Sequence, residues 1–337
     1  MNLQQRIEIL VRLGQYLAAA ASDSAPADWK QAMQQAQDKN KWFLPGFQQQ
    51  AAGELAAHFL QYDALCSWAQ QYALAEPATP RTVGIVMAGN IPLVGFHDFL
   101  CVFISGHRQR IKLSSKDDVL LPHLVKCLIG WEPRVAEWIS FAEILKGCDA
   151  YIATGSDNSA RYFDHYFGRY PSIIRRNRTS VALLTGNETS GALQALADDV
   201  MRYFGLGCRN VTQVYVPEGY DFRSLLDALR TYSYFFDHPT YRNNYDYQLA
   251  IYLMNNRFYM TNDCIVLIEN NEHFSPIGTL HYRFYKGNPE DLAAELKKEQ
   301  QVQAVVGAGG LPFGTAQQPS LTEYADGVDV MQFLCTL

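Results

Sequence analysis

An α/β fold with parallel sheets is predicted by three observations. From Thr82 onward, short β-branched or apolar runs alternate with helix-length segments, the pattern of strands joined by crossover helices. The first eighty residues show helical patterning instead, so a helical layer precedes the sheets. The chain, at 337 residues, is long enough for about two domains and a self-sufficient core.

The elements follow in order. Residues 3 to 78 read as helices, with Ile7, Leu10, Leu13 and Leu17 on one face of the first, breaks near 22–28 and at Pro45-Gly46, and a Gln/Ala-rich helix through Leu55 and Leu60. Strands are expected at 82–88, 109–113, 149–153, 179–184, 211–216, 263–268 and 302–306, with helices at 93–105, 118–131, 157–168, 189–203, 220–231, 240–256 and 289–299. The stretch 274–285 alternates through Ile277, Thr279, His281 and Arg283, which predicts an antiparallel or edge strand. A domain change is expected near residue 185, dividing the chain into 1–184, 185–311 and a C-terminal tail 312–337.

Composition narrows the classes. Charged residues make up only 18% against 48% apolar, below the roughly 25% charged of an average soluble domain, so part of the surface is expected to be covered in a homo-oligomer. A net charge of −6 without any long Lys/Arg run argues against nucleic acid or anionic membrane as partner. Arg6, Glu8 and Arg12 interrupt the N-terminal apolar positions, which argues against a signal peptide, and no stretch approaches the roughly 20 apolar residues of a membrane span. Cysteines at 66, 101, 127, 148, 208, 264 and 335 form no C-x-x-C pair and are read as having no companion histidine at ligand spacing. No metal site is therefore expected, and the thiols read as reduced, in a cytoplasmic protein.

Cys208 is the leading candidate for chemistry. It stands in Gly205-Leu206-Gly207-Cys208-Arg209-Asn210, where glycines admit a close approach and Arg209 brings a positive charge that favours thiolate; the competing reading is a small buried core residue. Ala88-Gly89-Asn90-Ile91-Pro92 runs off the end of a strand, where the Asn90 amide serves either as donor to an oxyanion or as a helix N-cap. Lys112, with Ser114 and Ser115 beside it, suits a ribose or a phosphate, or is a solvated edge lysine. Thr154, Gly155 and Ser156 enter a helix whose backbone N–H groups suit a pyrophosphate or make a plain cap. Glu272 and Phe274 offer a carboxylate and a flat ring in a loop, and no G-x-G-x-x-G or Walker sequence occurs. The stretch 232–260 holds ten aromatic residues, with Tyr241, Tyr245 and Tyr252 on one helical face, suited to core packing or to an acyl channel.

In this order the pieces resemble the aldehyde dehydrogenase superfamily, and within it the LuxC-like acyl-CoA reductases. The resemblance runs from about residue 82 onward and implies an aldehyde dehydrogenase-like fold with two doubly wound, mainly parallel sheets behind the N-terminal helical layer. It makes 1–184 the helices plus a nicotinamide-cofactor domain and 185–311 the catalytic thiol domain. Cys208 falls at the nucleophile position and Asn90 in an Asn-x-Pro oxyanion turn. Lys112 matches the adenosine-ribose lysine, Thr154-Gly155-Ser156 the helix-start motif, Glu272 and Phe274 the Glu-x-Phe motif at the nicotinamide ribose, and Pro312-Phe313-Gly314 a late turn. Where hydrolytic relatives carry a glutamate base, this chain has Ile174-Arg175-Arg176-Asn177-Arg178, which implies transfer to a thiol such as coenzyme A over hydrolysis. The implied activity is reduction of an acyl-CoA to the aldehyde through a Cys208 thioacyl-enzyme. Ser115 in place of a carboxylate favours NADPH, with NADH possible. Rival readings are a thiol acyltransferase or thioesterase without a nicotinamide, a non-catalytic subunit that kept the fold, and an oxidative aldehyde dehydrogenase.

Overall fold

Asn2 opens the first helix by accepting from the Gln5 N–H at 2.9 Å while the Gln5 side chain accepts from the Asn2 N–H, so two otherwise orphaned donors are satisfied at once. The computed structural model describes every residue except Asp23, which falls in the expected break at 22–28, and Ala75 and Ala78, at the end of the expected helical stretch. Helices α1 (Leu3–Ala20), α2 (Ala27–Lys39), α3 (Pro45–His58) and α4 (Tyr62–Gln71) make the N-terminal layer. Among the described residues no helix is long and apolar enough to cross a membrane.

The chain forms two compact units, residues 1–177 with 319–337 and residues 178–318. In the first, β1 (Thr82–Val86), α5 (Phe96–Ser105), β2 (Arg108–Lys112), α6 (Leu120–Trp131), β3 (Ile139–Phe141), β4 (Ala150–Thr154), α7 (Asp157–Phe167) and β5 (Ser172–Arg175) build a parallel sheet of order β3-β2-β1-β4-β5. The chain moves outward from β1 to β3, then returns to the far side of β1, which places a topological switch point between β1 and β4. Helix α5 is apolar nearly all round and is buried along its length, as such a helix must be. Its core extends through Leu10, Leu13 and Leu17 of α1 and Val83 and Ile85 of β1.

In the second unit, β6 (Thr179–Leu183), α8 (Ser190–Met201), β7 (Val211–Pro217), α9 (Arg223–Leu229), α10 (Pro239–Met254), β8 (Met260–Thr261), β9 (Val266–Glu269), β10 (Thr279–Tyr285), α11 (Pro289–Leu296) and β11 (Val302–Gly307) give a sheet of order β11-β6-β7-β10-β9-β8. Only the short β8 pairs antiparallel.

Four expectations are corrected. The stretch 274–285 yields β10, which is parallel and interior, between β7 and β9; its polar alternation misleads because Thr279 and His281 are buried as fully as Leu280 and Tyr282. The division falls after Asn177, because β6 is hydrogen-bonded to β7 and β11, so the expected boundary near 185 lies inside the second unit. The C-terminal stretch is no loose tail: α12 (Val330–Cys335) buries Val330, Met331 and Leu334 in the first unit's core, and the Tyr324 hydroxyl accepts from Trp68 Nε1 at 2.8 Å. A cysteine does have a companion histidine, since His123 and Cys127 lie one turn apart on α6 with Nε2 and Sγ 3.7 Å from each other.

Arg175 at the end of β5 is buried with Asp98 of α5, Nη1 donating to Oδ2 at 2.6 Å, and the same nitrogen lies 3.4 Å from Thr154 Oγ1 on the neighbouring strand. Burial works against the guanidinium charge, and Asp98 more than offsets it, so the Arg175 pKa stands above its ordinary value. Removing one partner leaves an uncompensated buried charge. Asp98→Asn is expected to lower unfolding free energy by about 3–5 kcal/mol. Urea titration of the variant checks this, and Asp98→Leu/Arg175→Met is expected to recover much of the loss.

Candidate active site

The carboxyl edge of the first sheet gathers most of the residues singled out by sequence. Lys112 ends β2, Thr154 ends β4, and Asn90 follows β1 between them, so all three lie at strand ends around the switch point. Lys112 and Ser115 are exposed, while Asn90 is half-buried. Asn90 does not cap the next helix: α5 begins at Phe96 with Gly95 in the cap position, and residues 92–95 form a turn. The helix-cap reading of Asn90 is thereby set aside.

That turn is held by a residue the sequence did not flag. Leu93 adopts φ 57°, a left-handed conformation unfavourable for a branched side chain, and its N–H donates to Asp117 Oδ2 at 2.9 Å. Asp117 Oδ1 is buried without a partner, and burial pushes the Asp117 carboxyl up to about 6, against the lowering effect of the Leu93 N–H. Gly89 lies against the same segment; a Cβ there would stand 2.6 Å from the Ser114 Cβ. Loop 87–93 and loop 114–117 are therefore packed as a single piece that carries Asn90 and Ser115.

Ser156 is the N-cap of α7, its Oγ accepting from the Ser159 N–H at 3.3 Å, so the plain-cap reading holds for its hydroxyl. At Gly155 a Cβ would meet Ser159 and Phe163 within 2.9 Å, which explains the glycine.

Cys208 lies in the second unit, half-buried, in a turn closed by Asn210 N–H donating to the Gly207 carbonyl at 3.0 Å. Three left-handed residues precede it, Tyr203 (φ 54°), Phe204 (φ 57°) and Gly205 (φ 74°), and they swing the chain from α8 toward β7. Asn210, fully buried, fastens the corner: its Oδ1 accepts from Gly207 N–H at 2.8 Å, and its Nδ2 donates to the Asp199 and Arg202 carbonyls at 3.0 and 2.9 Å. Ser180 Oγ donates to the Cys208 carbonyl at 3.1 Å. Arg209 extends to the Ala316 carbonyl at 3.4 Å. Asp199 ties the Pro312-Phe313-Gly314 turn to the same helix, accepting from Gly314 and Ala316 N–H at 2.6 and 3.1 Å. Burial raises the Asp199 carboxyl to about 6, opposed by those two N–H groups.

Glu272 and Phe274 are both exposed, on the loop between β9 and β10. The residue between them is the anchor: His273 is buried, its Nδ1 2.7 Å from Gln213 Oε1 and its Nε2 beside Glu299, while Thr212 Oγ1 donates to its carbonyl. Thr212 and Gln213 belong to β7, the strand led by the Cys208 turn. Of the aromatic stretch, Tyr241 and Tyr245 are buried and Tyr252 half-buried; Tyr241 lines a recess with Met201, Phe204, Ile265 and Ile277. The predicted residues thus fall into two groups, Asn90, Lys112, Ser115, Thr154, Gly155 and Ser156 in the first unit and Cys208, Glu272 and Phe274 in the second.

No protein-family profile matches the chain, and no curated protein matches its sequence. Solved structures do. The NAD-dependent aldehyde dehydrogenase of Sinorhizobium meliloti superposes with a TM-score of 0.64 at 11% identity, over 91% of this chain and 70% of that one. A mutant aldehyde dehydrogenase from Bacillus cereus gives 0.65 at 11% identity over 91% and 72%. A mutant indole-3-acetaldehyde dehydrogenase of P. syringae, in complex with NAD+ and IAA, gives 0.64 at 12% identity over 91% and 72%. The fold is aldehyde dehydrogenase-like.

Asp117 and Asp199 generate a pH dependence of opposite sign to that of paired carboxylates. Each holds its proton more tightly folded than unfolded, so between the ordinary value of 3.8 and about 6 the unfolded chain has shed a proton the folded chain keeps. Their contribution is complete below that window and is lost as pH rises through it, by about 3 kcal/mol per group. The stability gap between wild type and Asp199→Asn, or Asp117→Asn, is expected to move against wild type by about that amount from about pH 3 to 7 in urea titrations.

Proposed function

We propose that the chain is an NAD(P)H-dependent reductase of acyl-CoA thioesters that works through an acyl group on Cys208. The observation that carries this is the Cys208 turn itself: a half-buried thiol, outside any disulfide, on a corner whose geometry is fixed by the buried Asn210 amide, in an aldehyde dehydrogenase-like fold. A nucleophile needs such fixation, because small displacements of a reacting atom lose much of the rate gained from orientation.

The Cys208 thiolate attacks the thioester carbonyl carbon, forming a C–S bond; collapse of the tetrahedral adduct breaks the bond to the sulfur of coenzyme A, which leaves as the thiolate and takes up a proton from solvent. The Asn90 side-chain amide and the Cys208 backbone N–H are the donors assigned to the oxyanion. Hydrolysis of the acyl-enzyme requires a base to activate water. The segment 174–178 supplies none, since it holds no carboxylate, and its Arg175 and Arg176 are cations paired with Asp98 and Asp164.

A nicotinamide dinucleotide fits the carboxyl edge of the first sheet by the chemistry of its donors: Lys112 and Ser115 stand exposed for an adenosine ribose, and the start of α7 offers backbone N–H groups. When bound, the cofactor supplies a hydride to the acyl carbon. Ser115, a hydroxyl where a carboxylate would repel a 2′-phosphate, favours NADPH over NADH. Glu272 and Phe274, exposed on either side of the anchored His273, are assigned to the nicotinamide ribose.

Mass spectrometry after incubation with an acyl-CoA is expected to show one acyl group on Cys208 that NADPH discharges as aldehyde. Acylation without discharge or nucleotide binding selects the acyltransferase or thioesterase reading, and an unreactive Cys208 selects a non-catalytic protein. Loss of one oxyanion donor costs about 3 kcal/mol of transition-state stabilisation, so Asn90→Ala is expected to cut turnover about a hundredfold with NADPH affinity unchanged. Steady-state rates and fluorescence titration of NADPH and NADH measure both effects.

A further inference from the structure

Three N-terminal and central helices bring a set of unlike donor atoms to one point in the first unit. Helix α6 carries His123 and Cys127 one turn apart, the first turn of α2 carries Asp28, and α1 carries Tyr16. One donor atom from each of Asp28, His123 and Cys127 lies within 4.8 Å of the others. His123 Nε2 stands 3.7 Å from Cys127 Sγ, 4.0 Å from Asp28 Oδ2 and 2.7 Å from Tyr16 Oη, and Tyr16 Oη stands 3.2 Å from Asp28 Oδ1. A tetrahedron with zinc bonds of about 2.0–2.3 Å has edges of about 3.3–3.8 Å, and these separations bracket that range.

We propose that Asp28, His123 and Cys127 form a Zn²⁺ site, with the Tyr16 hydroxyl beside its fourth position. The donor set selects the ion: one imidazole nitrogen, one sulfur and one carboxylate suit a borderline divalent cation, whereas Ca²⁺ and Mg²⁺ demand oxygen. Charge also matches, because a thiolate and a carboxylate together neutralise a dication. The His123 imidazole turns Nε2 toward both other ligands. The ring is fixed in place, its centroid 5.7 Å from Trp29 and 6.0 Å from Tyr16. Asp28 is exposed and gives the ion a route from solvent. Binding forms a Zn–S bond and releases the Cys127 thiol proton to solvent, with no change of oxidation state. The ion would cross-link α1, α2 and α6, a role separate from the reductase proposal.

The test uses untagged full-length protein freed of metal with a chelator, then titrated with Zn²⁺ in competition with a chromophoric chelator, and with Co²⁺ as a spectroscopic probe. One equivalent of either ion is expected, with the visible bands of tetrahedral Co²⁺ and a near-ultraviolet thiolate-to-cobalt band. Cys127→Ser is expected to abolish the thiolate band, and Asp28→Asn to weaken Zn²⁺ binding at least about tenfold, while Cys335→Ser leaves both unchanged. Asp28 is exposed while His123 and Cys127 are half-buried, so its variant disturbs the packing least, and circular dichroism verifies that each variant folds. Failure of wild type to take up an equivalent of metal, a thiolate band that survives in folded Cys127→Ser, or unchanged affinity in Asp28→Asn overturns the proposal.

Discussion

One buried carboxamide, that of Asn210, decides where the candidate nucleophile stands. Its oxygen closes the turn from within and its nitrogen takes up carbonyls that the end of α8 leaves without helical partners. The strain next to it shows why the fastening is needed. Tyr203 and Phe204 both sit at positive φ, a conformation that costs about 1–2 kcal/mol per residue for side chains with a Cβ. Such a corner persists only where its surroundings over-determine it. Both rings are buried, and Phe204 packs 4.3 Å from Phe235 and 5.6 Å from Tyr241, so apolar burial offsets the strain while Asn210 fixes the exit from it.

The first unit uses the same device with different chemistry. Leu93 is its strained residue and Asp117 its buried polar peg, and the peg is again unfavourable to keep, since the carboxyl is desolvated and one oxygen has no partner. Asp199 repeats the arrangement at the 312–316 turn with two N–H groups in place of one. A side chain buried at such expense is retained where a backbone must be held in one conformation. Each of these pegs holds a loop that carries a candidate functional residue or borders one. Arg175 and Asp98 differ: their charges cancel, and what they stabilise is the packing of α5 against the strand ends.

How far sequence led is visible element by element. Strands of five residues or more, with β-branched runs, were legible, as were the long helices. β3, β5 and β8 were not, because three, four and two residues hold too little of a two-residue period to register, whereas β9, also of four residues, was legible from the continuous apolar run 264–268 that leads into it. Cys208 and Asn90 were legible because their local setting is contiguous. Their supports were not, because the information lies in tertiary pairings: Asp117 reaches Leu93 across 24 residues, and Asp199 reaches Gly314 across 115. His123 and Cys127 were within reach of sequence as an i,i+4 pair on one helix face; Asp28, from another helix, was not.

The Glu272–Phe274 segment shows what a motif read as two residues leaves out. Glu272 and Phe274 face solvent, which by itself describes any loop. His273 between them is held at both ring nitrogens and at its carbonyl, twice by β7. With its middle residue pinned, the segment cannot rotate, and the outward direction of its neighbours becomes a property of the fold. The carbonyl of Glu272 is itself bound, 2.7 Å from His281 Nδ1 on β10. Two histidines, buried and spent on positioning, thus fix a carboxylate and a ring that remain exposed, and the strand that holds His273 is the one whose leading turn carries Cys208.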